Sequence, residues 1–212
     1  MPLLAPLYPI LDPSLTSRPL PQLAEALVGA GVELIQLRDK QGSARMVYGE
    51  ARELVERFRA SGVRLIVNDR PDVAKMTGAA GVHVGQQDLP VETARDIVGG
   101  RLWVGVSTHN LDQLRDADAT SADYIAVGPI FPTGTKDNPD PVVGVEFIRN
   151  ARRLTRKPLV AIGGITVESA ADVFGAGADS IAVIRDLLVA ADPARRAREY
   201  LDVADRVFSR HH

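Results

Sequence analysis

Short apolar segments alternate with longer amphipathic segments along the whole chain of 212 residues. The short segments are rich in β-branched and apolar residues, which is typical of parallel strands buried on both faces, and the longer ones carry apolar residues at helical spacing. The eight predicted strands are Leu7–Leu11, Leu34–Arg38, Leu65–Asn68, Val82–Val84, Trp103–Ser107, Tyr124–Val127, Leu159–Ile162 and Ser180–Ile184. The predicted helices include Pro21–Ala30, Ala44–Ala60 and Thr166–Ala176, and the last lies within Pro193–Phe208.

Eight strands, each followed by a helix or a short substitute for one, constrain the fold class. They predict an α/β protein with a closed parallel (β/α)8 or TIM barrel, because an open doubly wound sheet usually has fewer strands. No linker or low-complexity segment divides the chain, so we expect a single barrel domain over residues 1–212.

Composition argues against several classes of protein. Lys plus Arg (25) nearly balances Asp plus Glu (27), and aromatic residues make up only 5% of the chain, so we expect no nucleic-acid partner. The absence of cysteine excludes disulfides and thiol catalysis and is compatible with a cytoplasmic location. The apolar start is too short to span a bilayer, and we expect no membrane partner. The sequence leaves open whether the chain forms a homo-oligomer.

Polar residues follow the predicted strands rather than precede them. In parallel α/β folds this edge carries the chemistry. Gln36, Arg38 and Lys40 are spaced by two, so on an extended segment they face one side. Arg and Lys suit an anionic ligand, although a solvated charge cluster is the alternative.

Two Asp residues follow the carboxyl ends of consecutive predicted strands. Asp69 and Asp88 would converge at neighbouring barrel positions, and a pair of hard oxygen ligands suits Mg²⁺ beside a phosphate. The alternative is that each caps the helix that follows it. Their proximity to Arg38 and Lys40 favours a site for a metal and a diphosphate.

The residues after the later strands predict a phosphate-binding turn and a long loop. Gly163-Gly164 opens a helix, where backbone N–H groups bind anions, although such a pair is often only a tight turn. The segment from Phe131 to Val143 has no regular period and is predicted to be a lid or a solvated excursion. His109 is either an acid–base group or a hydrogen-bonded structural residue. No Ser–His–Asp set or Walker loop is present.

At these segments the chain resembles the thiamine phosphate synthase family. The matching stretches are Tyr8–Asp12, Gln36–Lys40, Val67–Arg70, Gly81–Asp88, Gly105–His109, Gly128–Lys136, Ala161–Ile165 and Gly177–Asp179, in family order. Gly128–Lys136 and Gly81–Asp88 are the specific ones.

The resemblance implies a TIM-barrel transferase that joins a pyrimidine methyl diphosphate to a thiazole phosphate, giving thiamine phosphate and pyrophosphate. By this resemblance, Gln36 and Ser107 hold the aminopyrimidine, and Asp69 and Asp88 carry Mg²⁺. The residues implied for the diphosphate are Arg38, Lys40, Asn68 and Lys136, with Arg38, Lys40, Lys136 and Ser107 expected to act in catalysis. Those implied for the thiazole phosphate are Thr133, Thr135, Gly164, Ile184 and Arg185.

The chain departs from the family pattern at three positions. Leu11 stands where Thr is usual, Asp39 where Glu is usual, and Arg185 where Ser is usual. Arg185 would add a cation to the thiazole phosphate pocket or crowd it. Two other functions stay open from the sequence: a thiazole tautomerase that uses His109, and a non-catalytic barrel that binds thiamine precursors.

Overall fold

Eight parallel strands form a closed barrel in the computed structural model, which describes residues 4–134 and 141–209. The strands are β1 (Leu7–Leu11), β2 (Leu34–Leu37), β3 (Arg64–Asn68), β4 (Gly81–Val84), β5 (Trp103–Thr108), β6 (Tyr124–Val127), β7 (Leu159–Ile162) and β8 (Ser180–Val183). Each strand pairs with its sequence neighbours, and β1 closes the barrel on β8, with Leu7 opposite Ile181. The predicted α/β barrel is confirmed.

Helices connect the strands on the outside. They are α1 (Leu20–Gly29), α2 (Ala44–Phe58), α3 (Pro71–Thr77), α4 (Val91–Val98), α5 (Leu111–Asp118), α6 (Val145–Leu154), α7 (Val167–Gly175), α8 (Arg185–Leu188) and α9 (Pro193–Phe208), with a 3-10 turn at Pro13–Leu15. Side-chain caps begin several of them: Ser43 accepts from the Met46 amide at 3.3 Å and Asp192 from the Arg195 amide at 2.9 Å. No helix in the described ranges is long and apolar enough to cross a membrane.

Apolar side chains are buried in two layers. The larger layer lies between the strands and the helices, where α1 contributes Leu23 and Leu27 and β2 contributes Ile35. A smaller cluster fills the barrel interior and includes Leu34 and Ile66. Alternation along each strand separates the two layers, because successive side chains point to opposite faces of a strand.

The amino-terminal end of the barrel is filled with side chains. Leu4 and Ala5 precede β1 and belong to the interior cluster, and both are buried. Trp103 packs against the same cluster, and the Arg64 guanidinium lies 4.8 Å from the centre of its ring. This packing forms a floor, and the polar strand ends gather at the opposite rim.

Candidate active site

A cavity of about 1370 Å³ opens at the carboxyl ends of the strands. It brings together eleven of the residues singled out in the sequence: Gln36, Arg38, Lys40, Asn68, Asp69, Asp88, Ser107, Thr133, Gly164, Ile184 and Arg185. Thr135 and Lys136 lie outside the described residues. The polar residues at the strand ends therefore share one cavity rather than separate surfaces.

Arg38 is held at the rim by a buried carboxylate. Its guanidinium forms an ion pair with Asp12, whose side chain is 3% exposed. The second oxygen of Asp12 accepts from the Ser14 amide at 3.0 Å and from the Ser14 hydroxyl at 2.5 Å. Asp12 was not predicted to act in the site, and it orients the guanidinium toward the cavity by fixing one edge of the fork.

Two carboxylates and an ammonium group meet beside Arg38. Lys40 forms an ion pair with Asp69, and Asp88 is close enough to act electrostatically on the Asp69 carboxyl group. Burial is the main cause that raises the pKa of Asp69, and the negative charge of Asp88 raises it further, against the lowering effect of Lys40. A cation bound between the two carboxylates would relieve this repulsion.

Neither carboxylate is a helix cap. The residues that precede α3 and α4 are Arg70 and Pro90, and neither makes a side-chain cap hydrogen bond. Asp88 instead accepts from the Gly85 amide at 2.9 Å, which closes its own loop. Asp69 has φ of +58°, a left-handed conformation that Asp and Asn tolerate better than most residues.

The donor set fits Mg²⁺. In the described part of the chain no group of three or more His, Cys, Asp or Glu side chains surrounds a common point, so a transition-metal cage is not formed there. Two adjacent carboxylates without a nitrogen or sulfur ligand match the way Mg²⁺ binds, through one or two carboxylates together with water and substrate phosphate.

A line of buried hydrogen bonds crosses the barrel interior beneath the cavity, and we call it the interior polar chain. Gln36 Nε2 donates to Tyr8 Oη at 2.8 Å, and Tyr8 Oη lies 3.0 Å from Tyr124 Oη. Tyr124 Oη is 3.0 Å from His83 Nδ1, and His83 Nε2 is 2.8 Å from Ser107 Oγ. The two residues assigned to a pyrimidine ring are thus the two ends of one network.

The opposite side of the rim is built from close backbone packing. The Ile130 and Phe131 amides donate to the carbonyls of Ile162 and Gly163 at 2.9 Å each, so the start of the β6–α6 loop lies against the β7–α7 turn. Gly164 has φ of +63°, and a Cβ there would lie 2.4 Å from the Pro132 carbonyl oxygen. The absence of a side chain at Gly164 therefore allows the neighbouring loop to pack closely against this turn.

Arg185 connects β8 to that loop. Its guanidinium donates to the Gly134 carbonyl at 3.5 Å across the rim, and Arg185 lines the cavity. His109 Nδ1 lies 2.6 Å from the Gly128 carbonyl, at the base of the same loop, which agrees with the hydrogen-bonded structural alternative for this histidine.

The family model, the curated relatives and a solved structure at 33% identity identify the family of this chain. The family model described as thiamine monophosphate synthase matches residues 7–187. The thiamine-phosphate synthase of Koribacter versatilis is 53% identical over 204 residues, covering 93% of this chain and 94% of that protein. That of Chloroflexus aurantiacus is 44% identical over 194 residues, covering 91% and 89%. The solved structure of thiamine phosphate pyrophosphorylase from Pyrococcus furiosus has a TM-score of 0.87 at 33% identity and covers 96% of both chains.

Proposed function

This chain belongs to the thiamine monophosphate synthase family and is an enzyme of the transferase class, and we propose that it couples 4-amino-2-methyl-5-hydroxymethylpyrimidine diphosphate with 4-methyl-5-(2-hydroxyethyl)thiazole phosphate. The products are thiamine phosphate and pyrophosphate. The observation that carries the proposal is the grouping of Arg38, Lys40, Asp69 and Asp88 in one cavity with Gln36 and Ser107.

The proposed reaction needs an anion-stabilising site more than a strong base. The bond between the pyrimidine methylene carbon and the diphosphate oxygen breaks, and both electrons leave with the diphosphate. The lone pair of the thiazole nitrogen then forms the new carbon–nitrogen bond to the pyrimidine cation. Such a step is accelerated by neutralising the leaving group and by holding the two substrates together.

The cations of the rim are proposed to bind the diphosphate. Arg38 presents its fork from a fixed position on Asp12, and Lys40 reaches the same region from its ion pair with Asp69. Asn68 lines the cavity beside them, and Lys136 is proposed to add a further cation. Asp69 and Asp88 would hold Mg²⁺, which when bound supplies charge neutralisation for the departing diphosphate.

The second substrate is proposed to bind at the other side of the rim. The β7–α7 turn at Gly164 and the β8 end at Ile184 and Arg185 face the cavity, and backbone N–H groups in such turns bind phosphate well. Thr133 and Thr135 would add hydroxyl donors from the β6–α6 loop. This arrangement would bring the thiazole nitrogen beside the pyrimidine methylene group.

The proposal is tested by incubating the full chain with both substrates, with Mg²⁺ or with excess chelator. We expect product only with Mg²⁺, and a loss of at least a hundredfold in kcat/KM for Asp88→Asn and Asp69→Asn. Asn is used because it tolerates the left-handed conformation at position 69. Asp96→Asn on the exposed face of α4 makes the same charge change away from the cavity and serves as the control.

Two results would contradict the proposal. An undiminished rate for Asp88→Asn in chelator would remove the metal role, and the absence of coupling under all conditions would remove the function. Proton exchange on a thiazole carboxylate phosphate without coupling would identify an isomerase instead.

A further inference from the structure

The hydrogen bonds of the interior polar chain all donate in one direction, from Gln36 toward Ser107, and we propose that this direction of donation selects the substrate ring. Tyr8, Tyr124 and His83 act as positioning residues that make Gln36 an acceptor and Ser107 a donor toward the cavity. The cavity then prefers a ring with an amino group beside a ring nitrogen over its oxo counterpart. The inference deepens the proposed function, since it concerns the pyrimidine half of that reaction.

The direction is set at Tyr8. Its oxygen accepts from Gln36 Nε2, and in the described part of the chain the other partner of its hydroxyl is Tyr124. Tyr8 is 1% exposed, so its hydrogen cannot turn to solvent. If Tyr124 donated to Tyr8, the Tyr8 hydrogen would be buried without an acceptor, which is costly. Tyr8 therefore donates to Tyr124.

The same reasoning carries the direction to Ser107. The Tyr124 oxygen accepts from Tyr8, so its own hydrogen goes to its remaining partner, His83 Nδ1, 3.0 Å away. A neutral imidazole that accepts at Nδ1 carries its hydrogen at Nε2. His83 Nε2 then donates to Ser107 Oγ at 2.8 Å, and the Ser107 hydrogen is left to donate into the cavity.

Gln36, at the other end of the interior polar chain, presents a hydrogen-bond acceptor to the cavity. Gln36 lines the cavity and commits its amide nitrogen to Tyr8, so its carbonyl oxygen is the group that remains to accept from a ligand. An acceptor at Gln36 and a donor at Ser107 match an exocyclic amino group and an adjacent ring nitrogen. The reverse direction would offer an amide N–H and a serine acceptor, which match an oxo group and a protonated ring nitrogen.

The barrel strands fix the positions of the residues in the interior polar chain, and with them the direction of hydrogen-bond donation. The members come from five strands of a closed barrel, and the Tyr8 and Tyr124 rings pack edge to face with centres 6.1 Å apart. Gly105 makes room for the network, because a Cβ there would lie 2.4 Å from the Tyr124 hydroxyl oxygen. Burial raises the pKa of both phenols, so each keeps the one hydrogen that the chain passes on.

The first test measures ring selectivity. Calorimetry compares binding of the aminopyrimidine diphosphate with binding of its 4-oxo analogue to the full chain. We expect wild type to prefer the amino form at least a hundredfold, because a mismatched edge leaves polar groups unpaired. Tyr124→Phe should reduce the preference below tenfold, and should raise KM for the amino substrate more than it lowers kcat.

A matched control removes another buried phenol hydroxyl. Tyr200→Phe on α9 deletes a group bonded to Asp186, outside the interior polar chain, and should leave the preference for the amino ring unchanged. Equal loss of preference in Tyr124→Phe and Tyr200→Phe, or full preference in Tyr124→Phe, would overturn the proposal.

The second test reads the hydrogen positions without substrate. Nitrogen NMR of the full chain should show His83 as the Nε2–H tautomer, with the signal assigned by its absence in His83→Gln. His83→Gln keeps a donor near the Nε2 position and should retain much of the preference, whereas His83→Asn loses that donor and should not. An Nδ1–H tautomer or a doubly protonated ring would overturn the proposal.

These results separate the inference from the proposed function. Coupling activity with equal binding of the amino and oxo rings would refute the direction and leave the function intact. Selective binding of the amino ring without coupling would refute the function and leave the direction intact.

Discussion

Asp12 shows how one residue at the rim ties stability to function. Its buried carboxylate is balanced by the Arg38 guanidinium, so a cation assigned to the diphosphate also neutralises a buried charge. Removing one partner of such a pair leaves an uncompensated charge in a poorly solvated position.

Arg38→Ala is therefore expected to lower the free energy of unfolding by about 3 kcal/mol in addition to abolishing coupling. Urea denaturation monitored by circular dichroism checks the prediction. Adding Asp12→Asn to Arg38→Ala should restore most of the stability, since the amide needs no counterion, without restoring activity. Wild-type stability for Arg38→Ala alone would show that Asp12 is not held by this pair.

Glu50 on α2 gives a pH-dependent prediction at the same scale. One of its carboxylate oxygens is buried without a hydrogen-bond partner among the described residues. Burial, followed by the negative charges of Asp39 and Glu53, raises the pKa of Glu50. A carboxyl group with a raised pKa in the native state destabilises the fold once the pH exceeds its ordinary value of about 4.3, because its ionisation is then favoured in the unfolded chain.

Glu50→Gln should accordingly raise the urea midpoint at pH 7, and the gain should disappear near pH 3.5, where the carboxyl is protonated in both states, about one unit below its ordinary pKa. Exposed Glu33→Gln provides the control and should change the midpoint little at either pH. A gain that persists unchanged at acidic pH would show that charge is not its cause.

At the scale of elements, the start of the β6–α6 loop, residues 128–134, packs directly against the β7–α7 turn. Gly164→Ala would place a methyl group against Pro132 and strain a backbone with φ of +63°. We expect a loss of about 1 to 3 kcal/mol in stability and a raised KM for the thiazole phosphate, with a smaller effect on KM for the pyrimidine diphosphate.

The matched control for this glycine is Gly175→Ala at the end of α7, where a Cβ meets nothing within 4 Å. It should leave both KM values unchanged and alter stability by less than about 1 kcal/mol. Steady-state kinetics with each substrate varied in turn separates the two effects, and equal rises in both KM values for Gly164→Ala would contradict the assignment of this turn.

The elements themselves were largely predictable from the chain. The bounds of β1, β6 and β7 match the prediction, and the remaining strands differ by one residue at one end, because buried parallel strands have a clear apolar pattern. The last predicted helix, within Pro193–Phe208, is α9, whereas the short helix α8 before it was not predicted. The expectations of a single domain, a cytoplasmic location and no nucleic-acid partner stay predictions.

The interior polar chain was missed for a physical reason. Tyr8, His83 and Tyr124 lie within apolar strands, where each is compatible with an ordinary buried position. Tyr8 and Tyr124 are 116 residues apart and meet only because the barrel closes. These residues, Gln36 and Gly105 all face the barrel interior, and this shared orientation is the signal that could have revealed the network. Detecting it requires the strand register of the closed barrel, which determines which side chains meet inside.

At the scale of the whole molecule, three cations and three carboxylates of the described residues line the cavity at the rim, in a chain whose net charge is −2. Mg²⁺ held by Asp69 and Asp88 would make this lining net positive. Arg38, Lys40 and Arg185 line one cavity that is proposed to receive two anionic substrates. Such attraction acts over about 10 Å at 0.1 M salt and weakens as ionic strength rises.

KM for the pyrimidine diphosphate should thus rise severalfold between about 0.05 and 0.5 M salt. Arg185→Gln should flatten the salt dependence of KM for the thiazole phosphate. Arg115→Gln on the exposed face of α5 makes the same change in net charge and should not flatten it. KM values that do not respond to salt would show that contact geometry, rather than the field of the rim, governs binding.

The filled floor of the barrel has a consequence for substrate entry and product release. Leu4, Ala5 and Trp103 close the amino-terminal end, so both substrates would enter, and both products would leave, at the carboxyl ends of the strands, where the described residues form the cavity. Gln36 is 2% exposed, so a pyrimidine bound against it as proposed would lie beneath the second substrate. We therefore expect ordered binding, with the pyrimidine diphosphate entering before the thiazole phosphate.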